Sequence, residues 1–259
     1  SSRMGRCKAW LPWLGRPMLS HVVDVLRQVT SDVVVVGAPD QPLPEVPARR
    51  VDDLEEGLGP LAGLSVGLGV ARGEAVFVTA TDAPHLTPIF IESLFAIGKS
   101  VAPLVEGRVQ TMSAIYPSEA AGLARSLLDQ GFRRPLDLLE AIGFEKVPGE
   151  GLPDVNSVKG FNTPEQYLAA LGSEPPGRVT VEFLGRARKR LRREREEVPV
   201  GLLEDVLDAA ATELALVKSG RVVPAYAVSL EGRAFLREAS VPIGPGERLA
   251  VLDAAEPCA

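Results

Sequence analysis

The sequence predicts an α/β domain, with helices on both faces of an open sheet, followed by a smaller α+β domain. Three observations support this. The 259 residues are enough for two domains of ordinary size. Strand-like and helix-like segments alternate through the first two-thirds of the chain, and the pattern changes after a segment of prolines, glycine and charges. We expect the first domain to cover 1–172, a linker 173–178 and the second domain 179–259.

Hydrophobic periodicity defines the elements of the first domain. Apolar residues from Leu19 to Leu26 recur at i, i+3, i+4 and i+7, which predicts a helix over 17–29. The apolar, β-branched run 32–38 is typical of a buried parallel strand. The same alternation predicts a helix over 59–72, a strand and turn over 74–84, a helix over 88–98, two strands joined by 106–108, and helices over 118–131, 135–143 and 163–172.

The second domain shows a different pattern. A strand with alternating apolar residues is predicted over 179–185, an amphipathic helix over 200–216, and strands over 225–233 and 248–254. The charge run Arg186–Glu197 indicates a solvated loop or helix face, the alternative being recruitment of an anionic cofactor or partner.

Composition excludes several classes of protein. The net charge of −6, without aromatic residues among the basic ones, argues against nucleic-acid binding. Cys7 and Cys258 stand at opposite ends of the chain, which indicates neither a disulfide framework nor a zinc site and fits a reducing, cytoplasmic location. The longest apolar runs are too short to span a membrane. With only two histidines, a multi-histidine metal site is not expected.

The opening stretch SSRMGRCKAW combines charge with a glycine. Arg3 and Lys8 supply positive charge, and Gly5 allows backbone to approach an anion closely, so this segment is a candidate phosphate-binding loop. A solvated terminus is the alternative interpretation.

Three further segments place polar residues at the ends of predicted elements. In RVDDLEEGLGPLAG, Asp53 or Asp52 is positioned to accept hydrogen bonds from a base or a ribose; the alternative is a turn before a buried helix. Asp82 follows an apolar strand, where a carboxylate suits Mg2+ beside phosphates, or else caps the next helix. Asn162 precedes the helix cap Thr163 and can face a ligand or a metal.

The order and spacing of these segments carry a resemblance. SxRMGxxKAxLPxxGxP, an aspartate before GPLAG, TATDAPHL, GRVQTMSAIY and NTPEQYL together resemble the molybdenum cofactor guanylyltransferase (MobA) family of nucleotidyltransferases, over residues 1–172. The resemblance implies a Rossmann-like domain with a mostly parallel sheet. It also implies transfer of GMP from GTP to the phosphate of a molybdopterin-type cofactor with release of pyrophosphate, and Mg2+ as cofactor.

The resemblance also implies roles for individual residues. The matching positions are Arg3, Gly5 and Lys8 for the triphosphate loop, Asp53 (with Asp52 as neighbouring candidate), Gly59 and Gly63 for guanine, Asp82 for Mg2+, Asn162 as a further metal or substrate ligand, and Arg133 and Arg134 for the pterin phosphate. Arg3, Lys8 and Asp82 are the expected catalytic residues.

The chain departs from the family pattern at two places. Gly160 stands where the family often has a second asparagine, which predicts one ligand fewer. In the family a strand and a Gly-rich turn precede SxRMG, so we expect the working protein to have them upstream of Ser1. Without that strand, its neighbours would have unpaired backbone.

The second domain resembles, more weakly, the ubiquitin-like β-grasp sulfur carriers of MoaD/ThiS type, through VTVEFLGRAR, one central helix and IGPGERLAVL. Those carriers end in Gly-Gly and this sequence ends DAAEPCA, so we expect docking of other molybdenum-cofactor enzymes rather than sulfur transfer.

Two alternative functions stay open at this point. One is transfer from CTP, or onto a sugar phosphate. The other is a non-catalytic GTP-binding fusion that recruits molybdenum-cofactor enzymes, which the intact GPLAG segment and Asp82 oppose.

Overall fold

A computed structural model describes residues 4–53, 57–172 and 177–254. The chain forms two compact units, one of Met18–Gly160 and one of Ser1–Pro17 together with Phe161–Ala259. Residues 4–17 therefore belong to the same unit as the C-terminal part of the chain. Most of the predicted linker, 173–176, lies outside the described residues, and the domain boundary at 172 stays a prediction.

The secondary structure follows the alternation in the sequence, after a short 3-10 helix at Lys8–Trp10. In chain order the elements are β1 (Pro12–Trp13), β2 (Arg16–Pro17), α1 (Met18–Val29), β3 (Val34–Gly37), β4 (Arg49–Asp52), α2 (Pro60–Val70), β5 (Ala75–Thr79), α3 (Pro88–Ile97), β6 (Val101–Val105), β7 (Arg108–Val109), β8 (Ser113–Pro117), α4 (Ala121–Asp129), α5 (Pro135–Ile142), β9 (Glu145–Pro148), α6 (Pro164–Leu171), β10 (Arg178–Phe183), α7 (Gly185–Leu191), β11 (Arg195–Pro199), β12 (Gly201–Leu202), α8 (Leu203–Ala211), β13 (Val217–Lys218), β14 (Arg221–Val222), β15 (Tyr226–Leu230), β16 (Ala234–Leu236), β17 (Pro242–Ile243) and β18 (Arg248–Asp253).

In the larger sheet of the first unit, β5, β6 and β9 run in one direction and β7 and β8 in the other, so the expectation of a mostly parallel sheet is met in strand direction but not in strand pairing. Its strands run in the order β5-β8-β6-β7, with β9 beside β6. In this sheet only β9 pairs parallel with its neighbour, which is β6. The chain reverses direction between β6 and β7, and β8 then pairs antiparallel with both β6 and β5. A strand that returns through a short connection must pair antiparallel.

A second, parallel pair lies in the same unit. Strand β3 pairs with β4, and Arg49 on β4 holds Asp32 in a two-fold hydrogen bond at 2.9 Å. Among the described residues β3 pairs only with β4 and β5 only with β8. Both strands are half-buried and line one cavity of about 420 Å³ under α1, α2 and α3.

The second unit contains a five-stranded sheet in the order β11-β10-β18-β15-β16. The two central strands, β10 and β18, are parallel, and the other pairs are antiparallel. Alternate residues of the central strands, such as Val181 and Val251, are fully buried with Leu207 of α8. Each such side chain stabilises the fold by about 1.5–3 kcal/mol.

The charge run at 186–197 forms two elements, a helix followed by a strand. Its first half forms α7, as the helix-face interpretation expects, with Ala187 buried. Its second half forms strand β11, which the sequence analysis did not predict because charged residues outnumber apolar ones there. Val198 is the buried residue of β11. Within the described ranges, no helix has the length and hydrophobicity needed to cross a membrane.

Candidate functional site

The segment between β4 and α2 brings a carboxylate to the start of a helix. Asp53 follows β4 directly, and its N–H donates to the carbonyl of Gly37 at 2.7 Å. Its Oδ2 lies 3.9 Å from the position that a Cβ on Gly63 would occupy, in the first turns of α2. Asp52 instead faces the exposed side and pairs with Arg50 at 3.1 Å. The structure therefore favours Asp53 over Asp52 as the residue that faces the GPLAG helix.

Gly59 begins α2 in a backbone conformation that requires glycine. Its φ is +76°, and a Cβ there would lie 3.3 Å from the carbonyl oxygen of Arg133. That carbonyl accepts the N–H of Leu61 at 3.3 Å. The loop before α5 thus fixes the N-terminal turn of α2.

The two predicted pterin-phosphate arginines both have partners within the protein. The Arg133 guanidinium donates to the carbonyls of Leu128 and Phe132, at 2.9 and 2.7 Å. Arg134 pairs with Asp137 at 2.5 Å in the first turn of α5, and its hydrogen bond lowers the pKa of that carboxyl. A role for either residue in phosphate binding stays a prediction.

Asp82 lies in the turn that follows β5, where its side chain is half-buried. Gly160 packs directly against it. A Cβ on Gly160 would lie 2.6 Å from the Asp82 carbonyl oxygen and 3.5 Å from Oδ2. The Gly160 and Asp82 backbones can approach this closely because Gly160 has no side chain.

The described part of the N-terminal loop holds Lys8 against Asn162. Lys8 Nζ donates to the carbonyl of Phe161 and, at 3.2 Å, to Asn162 Oδ1, and it lies 5.4 Å from the Phe161 ring centroid. Gly5 has a φ of +64°. Arg3 lies outside the described residues.

The helix α6 orients Asn162 for this contact. Thr163 caps α6 by accepting the N–H of Gln166 at 3.3 Å, and the Asn162 N–H donates to Gln166 Oε1 at 2.7 Å. The Asn162 side chain is exposed and directed to Lys8. The predicted phosphate loop and the predicted asparagine ligand are thus brought together in one unit, whereas Asp53 and Asp82 belong to the other unit.

The residues present fit a Mg2+ site in which the protein supplies one carboxylate and substrate phosphates and water supply the other ligands. Within 4–53, 57–172 and 177–254, no group of three or more His, Cys, Asp or Glu side chains converges on one point. Mg2+ is commonly held by one or two carboxylates together with substrate phosphates and water, and does not need a full protein cage. Asp82 is the candidate for such a carboxylate, since its side chain is half-buried rather than fully enclosed.

Sequence reasoning missed one buried ion pair near the loop. Arg6 and Glu247 form a two-fold salt bridge at 2.6 and 2.8 Å, with side chains 10% and 7% exposed. The two residues are far apart in sequence, so no local spacing signals the pair. The sequence gives only one indication of such a pair: Arg3 and Lys8 of the same loop are predicted to bind phosphate, whereas Arg6 has no predicted role.

Comparisons with known proteins place this chain in a family. Residues 1–142 match the family model of the MobA-like NTP transferase domain. A protein of Mycobacterium tuberculosis named as a probable molybdenum cofactor guanylyltransferase is 34% identical over 178 residues, covering 64% of this chain and 89% of the relative. A protein of Mycobacterium avium with the same name is 34% identical over 180 residues, covering 66% and 89%.

Solved structures show the same fold. The crystal structure of molybdopterin-guanine dinucleotide biosynthesis protein A from Archaeoglobus fulgidus superposes with a TM-score of 0.54 at 22% identity, covering 65% of this chain and 90% of that one. A protein from Aquifex aeolicus superposes with a TM-score of 0.51 at 21% identity, covering 56% and 79%. Because the family model matches more than half of the chain, the chain belongs to the MobA-like NTP transferases, a family of nucleotidyltransferases.

Proposed function

We propose that this nucleotidyltransferase is a molybdenum cofactor guanylyltransferase, which transfers GMP from GTP to the phosphate of a molybdopterin-type cofactor and releases pyrophosphate. The names of the mycobacterial relatives support the assignment. The observation in this structure that carries it is the Asp53 carboxylate, which faces the first turns of the GPLAG helix at Gly63.

A carboxylate at this position suits guanine rather than cytosine. The Watson–Crick edge of guanine offers two adjacent donors, a ring N–H and an amino group, and a carboxylate accepts both. Cytosine offers a single amino donor beside acceptors, which a carboxylate repels. Hydrogen bonds to charged groups contribute about 1.5–3 kcal/mol each. In this proposal, Gly59 and Gly63 leave room for the base to lie against the helix backbone.

The chemistry is an in-line displacement at the α-phosphorus of GTP. A phosphate oxygen of the pterin cofactor forms the new bond to the α-phosphorus, and the bond from the α-phosphorus to the bridging oxygen breaks. Pyrophosphate leaves with the electron pair. The attacking phosphate is already anionic, so no covalent enzyme intermediate is needed. Catalysis is then positioning and charge stabilisation.

The residues of this chain have separate tasks in that reaction. Lys8, together with Arg3 and the backbone at Gly5, binds the β- and γ-phosphates and stabilises the leaving pyrophosphate. Asp82 and Asn162 are the proposed metal ligands, and Arg133 and Arg134 the proposed contacts of the pterin phosphate. Mg2+, when bound, would neutralise negative charge that accumulates on the phosphates.

The test is direct assay of the transfer. The chain is incubated with GTP or CTP, Mg2+ and a molybdopterin-type acceptor, and the guanylylated pterin is detected by mass while pyrophosphate is measured. We expect product from GTP, at least ~100-fold less from CTP, and none from Asp82→Ala with its circular dichroism unchanged. Product from CTP alone, or equal turnover by Asp82→Ala, would contradict the assignment.

For the C-terminal part we propose a β-grasp domain that docks other enzymes of the same cofactor, in a cytoplasmic protein. Two features support the β-grasp assignment. The central strands β10 and β18 are parallel, and α8 follows the first hairpin, β10–β11. A pull-down of molybdenum-cofactor enzymes with 178–259 intact and deleted would test the docking role; equal recovery would contradict it.

A further inference from the structure

The N-terminal loop, defined here as residues 4–12, is fastened to a loop of the C-terminal part, residues 241–247. The Arg6 guanidinium donates to both carboxylate oxygens of Glu247 and, at 3.1 Å, to the carbonyl of Pro242. Glu247 also accepts the N–H of Gly244 at 2.8 Å, so its carboxylate is hydrogen-bonded to both loops. Glu247 directly precedes β18, a central strand, so the anchor is rigid.

Two glycines allow the loops to approach this closely. A Cβ on Gly5 would lie 2.8 Å from a methyl group of Val241, so the N-terminal loop fits only without a side chain there. A Cβ on Gly244 would lie 2.4 Å from the Tyr167 hydroxyl and 3.1 Å from Pro12. At each glycine, the backbone of one loop therefore packs directly against side chains, those of Val241 at Gly5 and those of Tyr167 and Pro12 at Gly244.

Tyr167 of α6 joins the same network. Its hydroxyl donates to the Pro12 carbonyl at 2.7 Å, and its ring lies 5.2 Å from that of Phe161. Burial, and then the negative charge of Glu247, raise the pKa of Tyr167. Phe161 in turn accepts a hydrogen bond from Lys8. A continuous chain of contacts thus runs from Glu247 to the lysine that the proposed function places on the triphosphate.

We propose that Glu247 is a positioning residue for nucleotidyl transfer: through Arg6 it holds the N-terminal loop so that Lys8 presents its ammonium group to the nucleotide phosphates. This inference rests on the proposed function. It assigns the C-terminal part a task in the reaction itself, in addition to docking. The alignments with the mycobacterial relatives cover 89% of those proteins and leave about a third of this chain unmatched, so the inference concerns this chain in particular.

A buried charge pair suits this task. Two-fold arginine–carboxylate bonds fix orientation as well as distance. A displacement of about 1 Å in a catalytic contact is enough to lower a rate about 100-fold. Removal of the Glu247 charge takes from the buried Arg6 the carboxylate that fixes its orientation, and we expect the loop to rearrange.

The chain offers a local reporter of the loop. Its only two tryptophans, Trp10 and Trp13, stand at and just beyond the end of this loop. Trp13 is 1% exposed, and the Arg233 guanidinium lies 5.2 Å from the Trp10 ring. Quenching of tryptophan emission by acrylamide therefore measures how tightly this loop is held, without reference to activity.

The experiment compares the full chain with Glu247→Gln and Arg6→Lys, which keeps the charge but loses the two-fold geometry. Glu182→Gln is the matched control, because Glu182 forms an exposed pair with Arg248 at 3.9 Å in the same part of the chain. For each protein we measure acrylamide quenching, the thermal midpoint, and kcat and KM for GTP well below that midpoint. Lys8→Met is made alone and combined with Glu247→Gln.

We expect both loop variants to show at least twofold stronger quenching and kcat/KM for GTP lowered about tenfold, with the control unchanged. In the Lys8→Met background, Glu247→Gln should change kcat/KM less than twofold, because both substitutions remove the same contact. Loop variants with a lower thermal midpoint but with wild-type quenching and wild-type kcat/KM would overturn the inference. It would also be overturned if Glu247→Gln lowered kcat/KM as much in the Lys8→Met background as in the wild type. An inactive wild-type chain would overturn the proposed function together with this inference, whereas an active wild type with unaffected variants overturns this inference alone.

Discussion

Replacing Gly160 with alanine is the sharpest perturbation of the Asp82 turn. The added Cβ would lie 2.6 Å from the Asp82 carbonyl oxygen, whereas ordinary contact begins at 3.4 Å, so the two must move apart by about 0.8 Å. The obstacle is backbone, which cannot swing away as a flexible side chain can. The carboxylate of Asp82, whose Oδ2 is 3.5 Å from the new methyl group, moves with it.

We expect Gly160→Ala to affect the activity of the protein more than its stability. Overpacking of this kind costs about 1–3 kcal/mol in the free energy of unfolding. A misplacement of about 1 Å at a catalytic group costs about 100-fold in rate. We therefore expect Gly160→Ala to remain folded and to lose about 30–100-fold in kcat/KM for GTP. Gly160→Asn, which adds a larger side chain at the same crowded position, should lower kcat/KM at least as much as Gly160→Ala does.

The assay is Mg2+-dependent pyrophosphate release, with thermal unfolding measured on the same samples. Gly151→Ala is the matched control. Neither glycine has a positive φ, and a Cβ on Gly151 meets nothing within 4 Å. Wild-type kcat/KM for Gly160→Ala, with a thermal midpoint lowered as expected, would refute the claim that the position of Asp82 governs the reaction.

Three other substitutions test separate parts of the account. Asp53→Asn should lower the preference for GTP over CTP by roughly 10–100-fold, since an amide cannot accept both guanine donors; an unchanged ratio of kcat/KM values would exclude Asp53 from base recognition. Partial burial raises the pKa of Asp32, but hydrogen bonds from Arg72 and Arg49 outweigh this and hold the pKa of that carboxyl below its ordinary value. Its contribution, at most about 1 kcal/mol, is therefore present at neutral pH and lost as the pH falls through that lowered pKa. Urea midpoints of wild type and Asp32→Asn should differ at pH 7 and converge as the pH is lowered into the acid range, and a constant difference would contradict this. Gly5→Ala should destabilise the chain by about 1–3 kcal/mol more than Gly15→Ala in urea unfolding, because both have positive φ but only Gly5 meets Val241, at 2.8 Å; equal losses would show that the contact contributes nothing.

The sequence predicts the helices well because their signals are local. Pro88, Pro135 and Pro164 each stand at the first position of a helix, and the structure begins α3, α5 and α6 at those residues. Strands β4 and β9 were missed, since each has only four residues and little apolar character. The order of the strands in the sheet was not predicted, because pairing depends on the fold around each strand and apolar composition does not record it.

The candidate site is predictable only where function requires unusual residues in a recognisable order. Asp82, Lys8 and Asn162 were predicted from their motifs, and their roles stay predictions; the structure adds what each side chain lies against. The choice of Asp53 over Asp52 needed coordinates, because adjacent residues point to opposite sides of a strand. The pair of Arg6 and Glu247 is a long-range contact between single charged residues, and single-sequence periodicity contains no signal for it.

The most direct measurement for the central claim is the dissociation constant of GTP, determined by calorimetry with and without Mg2+, for the wild type and Asp82→Ala. It needs no pterin acceptor and no turnover. If Asp82 holds the metal beside the triphosphate, Mg2+ should tighten GTP binding at least ~10-fold in the wild type and have little effect in Asp82→Ala. An equal effect of Mg2+ on both proteins, or no binding of GTP by the wild type, would contradict the account.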